Sequence, residues 1–278
     1  MKVSIILVNY NLCDLLKQCL KTLDESLKLF DYEVFIVDNA STDRSVEMLN
    51  HEFPQFRVLQ NKVNEGISKA YNQAIEQSRG EYVLLVNPNT ISGKETLKRV
   101  VDFMDINTTA GGLGVRMLSP QGTFLPESNR GLTKSWVTFF KLVGFAKNLS
   151  KTRLTNRNHK AWVEEFQTSE VDILNGAFML LRRSVLDEIG LFDERFVKYG
   201  YDIDLSYRIK LAGYKNYYFP KTYIINFKVT DKPKLSWQYI RQFYGAMFIF
   251  AAKYLFRMPE LNVQGIPEVY PHTYEIEG

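Results

Sequence analysis

Hydrophobic positions between residues 3 and 90 switch repeatedly from unbroken runs to helical spacing and back. Val3-Ser4-Ile5-Ile6-Leu7-Val8 is a largely apolar, mostly β-branched run, which predicts a strand buried on both faces; Asn9-Tyr10-Asn11 ends it. Over residues 12–28 the positions Leu12, Leu15, Leu16, Cys19, Leu20, Leu23 and Leu27 recur at helical spacing. Tyr32–Val37 predicts a second strand stopping at Asp38-Asn39, and Ser41-Thr42-Asp43 opens another helix, with Ser41 or Thr42 as its N-cap. Phe56–Gln60 reads as a short third strand. Asn64-Glu65-Gly66 turns into a helix over about 67–79, Gly80-Glu81 closes it, and Tyr82–Val86 is a fourth strand ending at Asn87-Pro88-Asn89-Thr90.

Strand and helix in regular alternation imply right-handed crossovers, hence an α/β fold with a mainly parallel sheet and helices on both faces. Ligands of such sheets sit at the carboxyl ends of the strands, so the polar loops 9–11, 38–43 and 87–90 are expected on one edge. The second half is less regular. Residues 111–116 predict a strand, and 119–170 a polar, loop-rich insertion with one apolar segment at 136–146. That insertion reads either as a cover for the site or as partly disordered chain. A buried strand over 175–181, helices at 184–189 and 203–212, and strands at 215–219 and 223–227 complete a domain of residues 1–230. Residues 231–278 hold a helix at 236–256 and a tail. The helix carries Trp237, Tyr239, Phe243, Tyr244, Phe248, Phe250, Tyr254 and Phe256 with Arg241, Lys253 and Arg257 between them. It reads either as packed on the domain or as resting on a membrane surface.

With 278 residues and 45% hydrophobic composition, a sizeable core is expected. A net charge of +4 is too small to point to a nucleic-acid partner. Cys13 and Cys19 lie six apart in one predicted helix, about 600° of rotation, so neither a disulfide nor a zinc pattern is expected. The apolar run after Met1-Lys2 is too short for a secretory leader, and no run of eighteen apolar residues predicts a membrane span. A cytoplasmic protein is expected, if anything peripheral on the inner face of a membrane.

Asp38, just past a strand end, can accept hydrogen bonds from a uracil or thymine imide or a ribose hydroxyl; capping of the next helix is the alternative. Asn39, Ser41 and Asp43 add polar groups there that the fold does not require. Gly66 permits close backbone approach at a helix start that favours anions, with Lys69 on the first turn as a cation or as an ordinary exposed lysine.

Five segments in order, VSIILVNYN at 3–11, VDNASTDRS at 37–45, NEGISKAYN at 64–72, LLVNPNT at 84–90 and NGAFMLLRRSVLDEIGLFDERF with YDIDL across 175–205, resemble glycosyltransferase family 2, in its rhamnosyltransferase-like branch. The resemblance covers about residues 1–230 and implies the GT-A fold. It implies an inverting enzyme that moves a sugar from a UDP- or dTDP-sugar to a hydroxyl of a glycan or lipid-linked glycan. It places the nucleoside against Val8, Asn9, Tyr10 and Asp38, the donor near Asn64, Gly66, Lys69, Asn87 and Asn89, and the acceptor beside Asn175, Gly176 and Ala177. The family's Glu-Asp-x-Asp pattern appears as Tyr201-Asp202-Ile203-Asp204, which makes Asp202 the base and puts Tyr201 where the family has Glu.

No organic cofactor is implied. The family also binds a divalent cation through an aspartate at position 89 and often a histidine after the strand at 223–227; here these are Asn89 and Asn226-Phe227-Lys228. Three readings stay open. Lys228 or another cation neutralises the leaving diphosphate without metal. Mg²⁺ or Mn²⁺ binds weakly through Asn89 and the diphosphate. Or the chain keeps binding and has lost catalysis. A nucleotidyltransferase on a similar sheet would need a Gly-rich first loop and an activating lysine, which are missing.

Overall fold

The computed structural model describes residues 1–27, 31–130, 136, 138–139, 165–227 and 237–254. Nine strands form one sheet: β1 (Val3–Asn9), β2 (Tyr32–Asp38), β3 (Arg57–Gln60), β4 (Tyr82–Val86), β5 (Thr90–Ser92), β6 (Ala110–Leu118), β7 (Ser169–Val171), β8 (Phe178–Arg182) and β9 (Lys215–Asn226). The helices among the described residues are α1 (Cys13–Leu27), α2 (Ser45–Glu52), α3 (Ile67–Ile75), α4 (Thr96–Ile106), α5 (Glu127–Arg130), α6 (Arg183–Ile189), α7 (Tyr201–Leu211) and α8 (Trp237–Tyr254).

The strand order is β3-β2-β1-β4-β8-β6-β9-β5, with β7 beside β9. The first four of these strands pair parallel, as the alternation predicts. Strand β8 then enters antiparallel between β4 and β6, and β6 and β9 run parallel to each other. The period-2 pleat sorts side chains into two cores. Val3, Ile5 and Leu7 face α1, α2 and α4, whereas Ile6 and its neighbours Phe35, Val83 and Leu85 face α3, α6, α7 and α8. The α/β class and the helices on both faces therefore stand.

Three differences from the sequence reading have local causes. The strand expected from 175 begins at Phe178, because Asn175 Oδ1 accepts the Ala177 N–H at 2.9 Å and turns the chain first. The two strands expected at 215–219 and 223–227 are one, β9, whose register against β6 shifts between Val115 and Arg116, opposite Pro220. Strand β5 and helix α4 were not anticipated; Leu97, Val100, Val101 and Met104 give α4 its buried stripe. Both cysteines are free, Cys19 buried and Cys13 half-buried. Within the 119–170 insertion, Trp136 is 2% exposed and its ring lies 6.0 Å from that of Phe250 in α8. Residues 140–164 and the tail from 255 lie outside the described residues.

Candidate functional site

The strand ends β1, β2 and β4 bring their loops to one edge. Parallel pairing sets Asn9 directly opposite Asp38. Asn9 Nδ2 donates to Asp38 Oδ2 at 3.0 Å and to Ser41 Oγ at 3.1 Å, and the Ser41 N–H donates to Asp38 Oδ1 at 2.9 Å. Asp38 is only 2% exposed and its carboxylate braces the loop; it does not cap α2, which begins at Ser45 with Arg44, and neither Ser41 nor Thr42, as its N-cap. Asn9 Oδ1 is buried and has no partner among the described residues. Val8 is half-buried below this loop, and Tyr10, at 49% exposure, presents an aromatic ring beside it. Asn11 and Ala40 hold left-handed backbone, φ 55° and 66°. Asn11 Oδ1 accepts the Thr42 N–H at 2.7 Å, which ties the first loop to the second. Neither loop-shaping residue was singled out from sequence; the strained φ has no local signature.

Asn39 carries the edge onward. It is buried, its Nδ2 donates to the Gly66 carbonyl at 3.1 Å, and its Oδ1 accepts from Asn61 at 2.9 Å. Asn64 Oδ1 accepts the Gly66 N–H at 3.1 Å. Gly66 has φ 85°, and a Cβ there would stand 2.8 Å from Val197 Cγ1 and 2.9 Å from the Val197 carbonyl. The close backbone approach that glycine permits is thus made by Val197. The same carbonyl accepts the Ile67 N–H at 2.7 Å, so one donor of the α3 start serves the protein itself. Lys69 pairs with Glu65 at 2.8 Å.

The 87–89 loop joins the Asn175-Gly176-Ala177 turn. The Asn87 N–H donates to the Ala177 carbonyl at 3.0 Å. Asn89 Nδ2 donates to Asn226 Oδ1 at 3.1 Å and to the Phe227 carbonyl, while the Phe227 N–H donates to the Asn89 carbonyl at 2.9 Å. The two positions at which the family's metal ligands were expected are therefore hydrogen-bonded to each other through a neutral amide. Among the described residues no group of three His, Cys, Asp or Glu could hold a metal ion. Asn89 and Asn226 offer a divalent cation no carboxylate, only neutral amide oxygens. His159, His272 and Lys228 lie outside the described residues, and His51 is in the last turn of α2.

Asp202 stands in the first turn of α7. Its Oδ2 accepts the Gly176 N–H at 3.3 Å and its Oδ1 the Ile203 N–H at 3.0 Å, so it faces the Asn175-Gly176-Ala177 turn. Burial pushes the carboxyl pKa up to about 6, against the lowering effect of these N–H groups. Tyr201, where the family has Glu, turns away from the edge: it is 7% exposed, and its ring lies 5.9 Å from Tyr71 and 5.8 Å from Phe192. A Cβ on Gly176 would sit 2.8 Å from Tyr201 Cζ, so glycine there makes room for this ring. Asp204 is buried among cations: Arg208 Nε at 3.0 Å and Lys253 Nζ at 2.8 Å.

One side of this edge thus carries a braced Asp38 loop and an exposed aromatic ring, the other a carboxylate with a raised pKa, joined through Gly66, Val197 and the 175–177 turn. The sequence profile described as Glycosyl transferase family 2 matches residues 4–190. The chain is 26% identical over 234 residues to an N-acetylglucosaminyl-diphospho-decaprenol L-rhamnosyltransferase of Mycobacterium tuberculosis, covering 79% of this chain and 74% of that protein. It is 24% identical to rhamnosyltransferase WbbL of Escherichia coli K12, covering 92% of this chain and 91% of the relative. Among solved structures, S. aureus TarS 1–349 in complex with UDP-GlcNAc superposes with a TM-score of 0.62 at 21% identity. That superposition covers 91% of this chain, which spans 66% of the TarS fragment.

Proposed function

The chain belongs to glycosyltransferase family 2, and from that premise we propose an inverting enzyme that moves a sugar from a UDP- or dTDP-sugar to a hydroxyl of a lipid-linked glycan, with Asp202 as the base and no metal ion. One observation carries this reading: the Asp202 carboxyl lies against the acceptor turn, across the edge from the nucleoside loops, with a pKa of about 6. A base poised there is largely ionised at neutral pH yet basic enough to accept a proton. As the acceptor oxygen attacks the anomeric carbon, its proton passes to Asp202. The new carbon–oxygen bond forms while the bond to the diphosphate breaks, and the nucleoside diphosphate departs. The Tyr10 ring, 49% exposed, stacks on the base, while Asp38 and the buried Asn9 brace the loop that presents it.

Support for the donor comes from the bound UDP-GlcNAc of the TarS structure, and for a lipid-linked acceptor from the mycobacterial relative, an N-acetylglucosaminyl-diphospho-decaprenol L-rhamnosyltransferase. Metal independence rests on Asn89 and Asn226 being neutral amides, linked through Asn89 Nδ2, with no carboxylate at either position. No helix among the described residues is long and apolar enough to cross a membrane. Contact with the inner leaflet is assigned to the outward face of α8, which bears Trp237, Arg241, Tyr244 and Phe248.

The test is turnover of UDP- and dTDP-sugars with and without EDTA. Rates should be unchanged by the chelator. Complete dependence on added Mn²⁺ or Mg²⁺ would remove the metal-free mechanism.

A further inference from the structure

Two carboxylates near the site are buried and do no chemistry in the mechanism above. Asp193 and Asp204 each have side chains 1% exposed. Between them sits a single ammonium, Lys253 Nζ, 3.1 Å from Asp193 Oδ2 and 2.8 Å from Asp204 Oδ1. Arg195 completes Asp193 at 2.6 Å, and Arg208 with the Tyr254 hydroxyl at 2.7 Å completes Asp204. Burial raises both carboxyls, but the surrounding cations prevail and hold them below the usual carboxylate range.

The two anchors belong to different walls of the edge. Asp193 opens the segment 193–197, whose Phe196 carbonyl accepts from Ser68 at 2.5 Å and whose Val197 carbonyl accepts from Ile67 at 2.7 Å. That segment thereby supports the Gly66 turn on the donor side. Asp204 lies two residues after Asp202 in α7, a rotation of about 200°, so the helix shows one carboxylate to the acceptor turn and the other to α8. Lys253 itself lies in α8, near the end of the described chain.

We infer that Lys253 is a positioning residue for glycosyl transfer: its ammonium, bridging Asp193 and Asp204, sets the distance between the donor-side turn and the helix that carries Asp202. The inference rests on Asp202 as base only for one of its readouts. A buried ion pair is a poor source of net stability compared with apolar packing, but removing one partner strands the others, so the bridge specifies geometry more than it adds stability. Misplacing reacting groups by about 1 Å can cost about 100-fold in rate.

The experiment compares Lys253→Met with wild type and with Leu23→Ala, a lesion of the opposite core that lowers the melting temperature without touching the bridge. Lys253→Met should lower kcat about 10- to 100-fold and raise the donor KM several-fold. It should also move the acid limb of the kcat profile down by about one pH unit from its place near 6, as Asp202 becomes hydrated. Lys253→Arg should restore part of each. Leu23→Ala should melt early and keep the wild-type profile. Should Lys253→Met not fold, Tyr254→Phe, which removes one hydrogen bond to Asp204, should move the same quantities in the same direction by less. A Lys253→Met enzyme that melts early but keeps wild-type kcat, KM and limb would overturn the inference. If Asp202→Asn retains turnover, the base assignment falls; the bridge then still demands the changes in kcat and donor KM, and their absence refutes it.

Discussion

A carboxyl taken out of water prefers its proton, and at Asp202 this preference works against stability at neutral pH. Its folded pKa lies near 6, above the ordinary 3.8. The stabilisation from the protonated form is complete below the unfolded value and is lost as pH rises through 6. Asp202→Asn should therefore melt later than wild type at pH 8, by on the order of 1–3 kcal/mol, with the gap closing near pH 4. The same variant should lose about 100-fold or more in kcat while keeping donor affinity. Thermal melts at the two pH values and steady-state kinetics check both; a variant less stable at pH 8 and equally active would contradict the role. The sequence pointed to Asp202 through its match to the family pattern, but the raised pKa comes from burial in the fold, which the Gly176 N–H offsets only in part.

At the scale of elements, the site is built where α3 meets the 193–197 segment. The Asn64-Glu65-Gly66 turn placed the start of α3, whose buried stripe is Ala70, Tyr71, Ala74 and Ile75; the helix ends at Ile75, short of the expected 79. The turn could not show that Gly66 is needed by Val197, some 130 residues away in the chain. Gly66→Ala adds a Cβ at φ 85° within 2.9 Å of a carbonyl oxygen that cannot retreat without losing its bond to Ile67. The expected cost is about 2 kcal/mol or more, with a raised donor KM, read by denaturant unfolding and kinetics. A neutral outcome would mean the segment is free to shift. Helix α8 carries two patterns at once: Phe243, Ala246, Met247 and Phe250 are buried, and Trp237, Tyr244 and Phe248 are 58–78% exposed. Both readings of its aromatic content thus have a face of their own.

At the scale of the whole molecule, α8 is fastened to α7 by the Lys253 bridge and turns its aromatic stripe outward. The helix has no acidic residue, and Arg241 interrupts the stripe at one-turn spacing, a composition suited to an anionic bilayer surface. Replacing Trp237, Tyr244 and Phe248 together by Ser should abolish sedimentation with phosphatidylglycerol vesicles while leaving turnover of a water-soluble acceptor unchanged. Loss of a dimer by light scattering, with vesicle binding intact, would assign the stripe to a second copy instead.

Local order was written in the residues: strand and helix alternate in the sequence because burial imposes a period on each element, and polar residues fall at strand ends because the backbone there leaves the core. The shared edge of the loops after β1, β2 and β4 could therefore be expected before any coordinates. The tertiary structure alone decided who partners whom. It inserted β8 antiparallel, bound Asn89 to Asn226 across 137 residues, and set Lys253 between Asp193 and Asp204. Such pairings depend on sheet order and on which faces meet, and no window of sequence spans them.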